Sequence, residues 1–127
     1  LAQRVSQYDP VPAYSDPAHP DWRLMSALLT RWIGEATRPV VLMPIPLYQH
    51  VEGTASADAY RTRFRDLANA TGAVLHDPMD DLNAYALEDR RKFRFENDVH
   101  PTPAWHQALA ESLAPTLGAN LPSRPTT

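Results

Sequence analysis

Two short apolar runs set the frame of this chain. "VVLMPI" occupies residues 40–45 and "AVLHD" residues 73–77, with one helical pattern between them. Runs this short, rich in Val and without alternation, suit strands covered on both faces. Pro44 and Pro46 break the first run near its end, and Pro78 closes the second. A strand–helix–strand order with two-face burial calls for parallel strands and a right-handed crossover. The fold class that follows is α/β. Two strands are too few to shield both faces of a sheet. These residues are therefore expected to be the second half of a larger α/β domain.

Helical patterns surround the two runs. "DWRLMSALLTRWIGEA" (21–36) places Trp22, Met25, Leu28, Leu29, Trp32, Ile33 and Ala36 at helical spacing, with Asp21 as the expected N-cap. Residues 47–56 read as a loop. Residues 56–71 read as a second helix, with Tyr60, Phe64, Leu67 and Ala68 on one stripe, Ser56 as cap and Gly72 as the left-handed stop. Residues 79–93 can hold a third. The last helix starts with Thr102 as cap and Pro103 at its first position. Its stripe is Trp105, Ala108, Leu109, Ser112 and Leu113, and Gly118 is expected to end it. The organisation expected is a Pro-rich extended arm (1–20), an α/β unit (21–118) and a flexible tail (119–127). Tyr8 and Tyr14 are candidate anchors of the arm.

The bulk properties narrow the function classes. The chain has 127 residues, 13 Pro, no Cys and a net charge of −3. That balance gives no electrostatic reason to expect nucleic acid. No stretch approaches the ~18 apolar residues of a membrane span. The absence of Cys excludes disulfides and thiolate metal sites. A soluble chain follows, with a cytoplasmic setting favoured. The start, "LAQRVSQYDP", lacks Met and any signal pattern, and reads as a terminus made by truncation or processing.

The chemistry-bearing stretch is "FENDVHPTPAWHQALAESL" (95–113). In open α/β sheets, sites lie beyond the carboxyl ends of the strands. The loops after both strands converge there with the loop before the last helix. Two residues apart in an extended loop, Asp98 and His100 point to one side. Asp98 can accept from Nδ1–H of His100 and leave Nε2 free to take a proton from a nucleophile. Asn97 is a rival orienting group, without a charge to stabilise an imidazolium. Tyr48 and His50 lie on a loop that should face the same site, as candidate substrate contacts. His76, Asp77, Asp80 and Asp81 crowd the end of the second strand, near His100 or His106 in this reading. They have no recognised metal-ligand spacing, so strand-end polarity is the expected role, with no metal and no cofactor. The basic run "RRKFRF" (90–95) reads as a solvated face, with attraction of an anionic substrate as its functional alternative.

The block "FENDVHPTPAWHQALAESLAPTL" resembles the last block of the SGNH/GDSL-type hydrolases. In that family an Asp and a His share one loop before the C-terminal helix. His100, Pro101, His106, Leu109 and Ala110 fall in step with it, and "RPVVLMPIPLY" and "YRTRFRDLANATGAVLHDPMDDL" keep the family's order. The resemblance covers residues 21–118. It implies a three-layer α/β/α, flavodoxin-like fold and ester or acyl-group chemistry. It makes His100 the base and Asp98 its orienter. Trp105 stands where the family usually has Gly, and Asn97 where its D-x-x-H form has Asp. The family's Gly-Asp-Ser, oxyanion Gly and Gly-x-Asn-Asp blocks have no counterpart here. None of the six Ser residues (6, 15, 26, 56, 112, 123) stands on a strand-to-helix nucleophile turn. The implied partner is an N-terminal segment of the same domain carrying the Ser, with a small ester as substrate. This chain alone is then expected to be inactive. The alternative is a binding or scaffold module that keeps the fold without the chemistry.

Overall fold

The computed structural model of the chain describes residues 9–122. Its elements are α1 (Pro20–Glu35), β1 (Val41–Leu42), α2 (Tyr48–Val51), α3 (Asp58–Thr71), β2 (Val74–Leu75), α4 (Met79–Asn83), α5 (Leu87–Arg91) and α6 (Pro103–Asn120). β1 and β2 pair in parallel, with Val41 opposite Val74 and Leu42 opposite Leu75. The protein is thus a mixed α/β chain with a small two-stranded parallel sheet. No helix among the described residues is long and apolar enough to cross a membrane.

Both strands are shorter than the apolar runs that encode them. Pro44 stands two residues after the end of β1, with Pro46 beyond it, and Asp77–Pro78 begins two residues after the end of β2. Proline gives no N–H to a ladder, so pairing stops while the chain stays extended. Cover is also thinner than the apolar runs imply. Leu42 is buried, whereas Val41, Val74 and Leu75 are half-buried. By strand alternation Val40, Leu42, Ala73 and Leu75 share one face. All four join Trp22 and Leu67, from α1 and α3, in one apolar cluster. A second cluster, Val51, Leu82, Phe93, Trp105, Ala108 and Leu109, gathers α2, α4 and α6.

The Pro-rich arm is not extended throughout. Residues 1–8, Tyr8 included, lie outside the described residues. Pro12–Tyr14 forms a 3-10 turn, tied by Asp9, which accepts from the Val11 amide and the Ser15 hydroxyl. Tyr14 does anchor it: its ring lies 5.8 Å from Trp22 and 6.0 Å from Phe64. The end of the expected tail, 123–127, also lies outside the described residues, while residues 119 and 120 belong to α6.

Local signals decided some helix ends and not others. Gly72 stops α3 at φ 76, its N–H bonded to the Ala68 carbonyl. Only a residue without Cβ adopts that backbone freely. Ser56 is not the cap of α3: Ala57 holds that position without a side-chain bond, and Ser56, one residue further out, accepts from the Asp58 amide. Asp21 is not the cap of α1; His19 is, its Nδ1 accepting from the Asp21 amide. Thr102 holds the cap position of α6, but its hydroxyl donates to the Lys92 carbonyl instead of capping. Gly118 does not end α6. It is not among the positive-φ glycines, and the helix runs on to Asn120, whose Nδ2 donates to the Thr116 carbonyl.

Two stretches departed further. The loop expected over 47–56 contains α2, and the helix expected over 79–93 is broken into α4 and α5. One side chain accounts for much of both. Arg90 donates to the carbonyls of Val51 and Tyr85 and to Oδ1 of Asn83. It satisfies the end of α2 and the break between α4 and α5, where helix bonds are lost. The apolar stripe of α1 is also split. Trp22 is buried and Leu29 and Ile33 are half-buried, but Met25, Leu28 and Trp32 are exposed together with Leu24.

Candidate functional site

The loop between α5 and α6 is a narrow hairpin. Arg94 and Pro101 form an antiparallel bridge at its base. The Phe95 amide donates to the His100 carbonyl at 3.2 Å, and the Asp98 amide to the Phe95 carbonyl at 3.1 Å. The second bond closes a β-turn over 95–98, with Asn97 in its third position at φ 59. Asn tolerates the left-handed region better than other residues with a Cβ. Asn97 therefore has a backbone role, and no hydrogen bond joins it to His100 among the described residues.

Asp98 is the group that meets the histidine. Its Oδ1 lies 2.6 Å from Nδ1 of His100 and accepts from the His100 amide at 3.1 Å. The side-chain bond first, then the backbone bond, hold the Asp98 carboxyl below the usual carboxylate range. An ionised Asp98 places the proton on Nδ1, leaving the lone pair on Nε2. Among the described residues Nε2 has no hydrogen-bond partner. The pair is open to solvent, with side chains 76% and 48% exposed. An ion pair so exposed adds little stability, so the hairpin, and not the charge, fixes its geometry.

A groove of about 430 Å³ runs beside this hairpin. Ile45, Leu47 and Tyr48 line it from the segment after β1, and Val99, Pro101 and Trp105 from the His100 side. Tyr48 thus stands where a substrate contact was expected. Arg94 stacks over its ring, 4.6 Å from the centroid, and forms a two-point ion pair with Glu52.

His50 is placed differently. It is 7% exposed, faces Tyr60 with ring centres 4.9 Å apart, and does not line the groove. Its Nδ1 accepts from the Leu47 amide at 3.2 Å and so caps α2. Burial pushes its imidazole pKa down, against a smaller upward pull from Asp9. Protonation would turn the Nδ1 acceptor into a donor facing an N–H. A depressed pKa stabilises the fold fully above the unfolded value, about 6.5, and the gain is lost as pH falls through the folded value. The urea midpoint is expected to drop between about pH 7.5 and pH 5. The drop should be smaller in His50→Gln, and an equal drop in both proteins would remove His50 as its cause.

The acidic residues after β2 are engaged elsewhere. Arg61 bonds Asp77 at 2.5 Å and Asp80 at 3.0 Å, and Asp77 also accepts from the Met79 amide. His76 bonds Thr116 through Nδ1 and Ser112 through Nε2, both at 2.8 Å. Ser112 in turn donates to Asp81 at 2.6 Å. A Ser, a His and an Asp thus meet, but in the order Asp–Ser–His. The serine proton goes to the carboxylate and the imidazole holds none of it, so the chain works as a clamp of α6 onto β2 and α4. Sequence reading missed this clamp because its members lie 31 to 36 positions apart. No group of three potential metal ligands gathers among the described residues. His106 is exposed on α6.

No described serine is bonded to His100. Ser15 donates to Asp9, Ser26 to the Arg23 carbonyl, Ser56 accepts from the Asp58 amide and Ser112 belongs to the clamp. Ser6 and Ser123 lie outside the described residues. No family model, curated protein or solved structure matches this chain.

Proposed function

We propose that this chain is the base-bearing part of a serine ester hydrolase or acyl transferase of the SGNH type. His100 is the general base, Asp98 fixes its tautomer, and the nucleophilic Ser lies on a segment outside residues 1–127. The observation that carries the reading is the 2.6 Å contact between Asp98 and Nδ1, which leaves Nε2 without a partner among the described residues, on a hairpin whose Val99 and Pro101 line a groove. In this reading the two strands are the rear of a three-layer, flavodoxin-like sheet.

The chemistry would run in two halves. The Ser Oγ bonds to the acyl carbon as its proton passes to Nε2. The ester C–O bond breaks, and the leaving alcohol takes that proton. Water, or a second alcohol in a transferase, then gives its proton to Nε2 as its oxygen bonds to the acyl carbon; the acyl–Oγ bond breaks and the Ser oxygen takes the proton back. Asp98 stays ionised throughout and stabilises the imidazolium. The 76% exposure of His100 favours a further segment over it, because fixed dipoles act weakly on developing charge in open water.

A serine-directed fluorophosphonate tests the split. Applied to the whole protein, it should label a Ser outside residues 1–127 and spare every Ser within them. Labelling of any of the six serines of this chain would sink the proposal.

A further inference from the structure

We propose that the groove beside the His100 hairpin binds a monocarboxylate with an apolar body, its charged end on Arg90. The inference is independent of the hydrolase reading above, because it needs neither His100 nor a nucleophile.

Charge carries it. The charged groups lining the groove are Glu52, Arg90 and Arg94. Glu52 and Arg94 hold each other in a two-point pair. Arg90, half-buried, has no acidic partner among the described residues. The acids nearest to it in sequence, Glu88 and Asp89, pair with Lys92. The groove is thus left with one unneutralised positive charge. That charge is also held in place. A guanidinium has five N–H groups. Three go to uncharged acceptors: Nε donates to the Tyr85 carbonyl, and Nη1 to the Val51 carbonyl and to Oδ1 of Asn83. Uncharged acceptors leave the full charge uncancelled. Nη2 keeps both its N–H groups without a partner among the described residues. A donor anchored in this way loses little freedom when a ligand arrives.

One positive charge matches one carboxylate. A phosphate dianion would bring a second negative charge into a groove that already contains Glu52. The rest of the lining selects the rest of the ligand. Val51, Phe93 and Trp105 are its buried part, and Ile45 and Val99, 60% and 66% exposed, its open part. A space of about 430 Å³ falls in the range of small-molecule pockets, roughly 300–1,000 Å³. An apolar body lying there takes aliphatic and aromatic surface out of water. It also lowers the polarity around Arg90, which strengthens the contact between guanidinium and carboxylate. A bare inorganic anion gains only the charge contact, and an uncharged apolar molecule only the burial. The basic run at 90–95 supplies this charge through one member alone. Lys92 and Arg94 are paired with acids, and Arg91 does not line the groove.

The test compares two probes of one shape, 2-naphthoate and the uncharged 2-naphthamide, at neutral pH. Each is titrated into the nitrogen-15-labelled protein, and binding is read by NMR at the Trp105 indole N–H and the Arg90 Nε–H. The carboxylate should bind about tenfold or more tighter than the amide. Arg90→Gln should close that gap and leave the amide's affinity in place. Arg90 also ties α2 to the break between α4 and α5, so a second position guards against misfolding. Val99 is exposed, and its replacement should keep the native circular dichroism. Val99→Asp should lower and Val99→Lys raise the affinity for 2-naphthoate, each by about threefold, with little change for the amide. Leu28→Asp, on the exposed side of α1, should change neither. Equal affinity for the two probes, a gap that persists in folded Arg90→Gln, no effect of charge at Val99, or loss of binding in Leu28→Asp would each overturn the proposal. Binding of 2-naphthyl phosphate about tenfold tighter than 2-naphthoate would overturn it in favour of a phosphate. Shifts of the same resonances on raising the protein concentration alone would assign the groove to a second copy.

Discussion

Replacing His100 with Ala is expected to lower kcat/KM of the whole protein for a p-nitrophenyl ester by about 10²–10⁴-fold. The loss should fall on kcat, because in the proposed mechanism the imidazole acts on the proton of the nucleophile and not on substrate binding. Asp98→Asn should give a smaller loss. An amide can still accept from Nδ1–H, but it carries no charge to stabilise the imidazolium. Asn97→Gly should be nearly silent, since its demand is a left-handed backbone at φ 59, which Gly meets freely. This ordering separates the two candidate orienters. An unchanged rate in His100→Ala would remove the catalytic assignment, and a larger effect at Asn97 than at Asp98 would transfer the orienting role.

The second large effect concerns the wall behind the site. Leu82 is fully buried in the cluster of Val51, Phe93, Trp105, Ala108 and Leu109. Leu82→Ala is expected to cost about 2–5 kcal/mol, the lost transfer energy plus the cavity left behind. For a chain of 127 residues that is a large share of the total. Urea unfolding followed by tryptophan fluorescence reads it directly. Phe93 and Trp105 belong both to this cluster and to the lining of the groove, so the cavity would open directly behind the groove. A stability change below about 1 kcal/mol would mean that the site collapses around the smaller side chain.

Much of the frame was legible in residue order. The two apolar runs gave two parallel strands, because short Val-rich segments joined by a helix have few other arrangements. Gly72, Pro103 and the stripes of α3 and α6 marked their positions through local backbone and burial rules, which act within a few residues. The Asp98–His100 contact belongs to the same class. Its partners are two positions apart, and the turn that presents them is encoded by Asn97 and stiffened by Pro101. What escaped was set by distant partners. The break between α4 and α5 and the short α2 share Arg90, which reaches 39 positions back to Val51. The burial of His50, the clamp from Asp81 through Ser112 to His76, and the pairing of Arg94 with Glu52 are likewise tertiary.

The sequence by itself determined an α/β frame and a hairpin that presents an imidazole with its orienting carboxylate. Both follow from interactions between near neighbours, whose geometry the backbone fixes. Only the tertiary structure decided what surrounds that imidazole. It turned His50 inward, bound Asp77 and Asp80 to Arg61, and paired Arg94 with Glu52 beside Tyr48. Charges and rings far apart in the chain find partners only when the helices pack, and that packing left a groove lined mostly by apolar side chains beside the His100 hairpin.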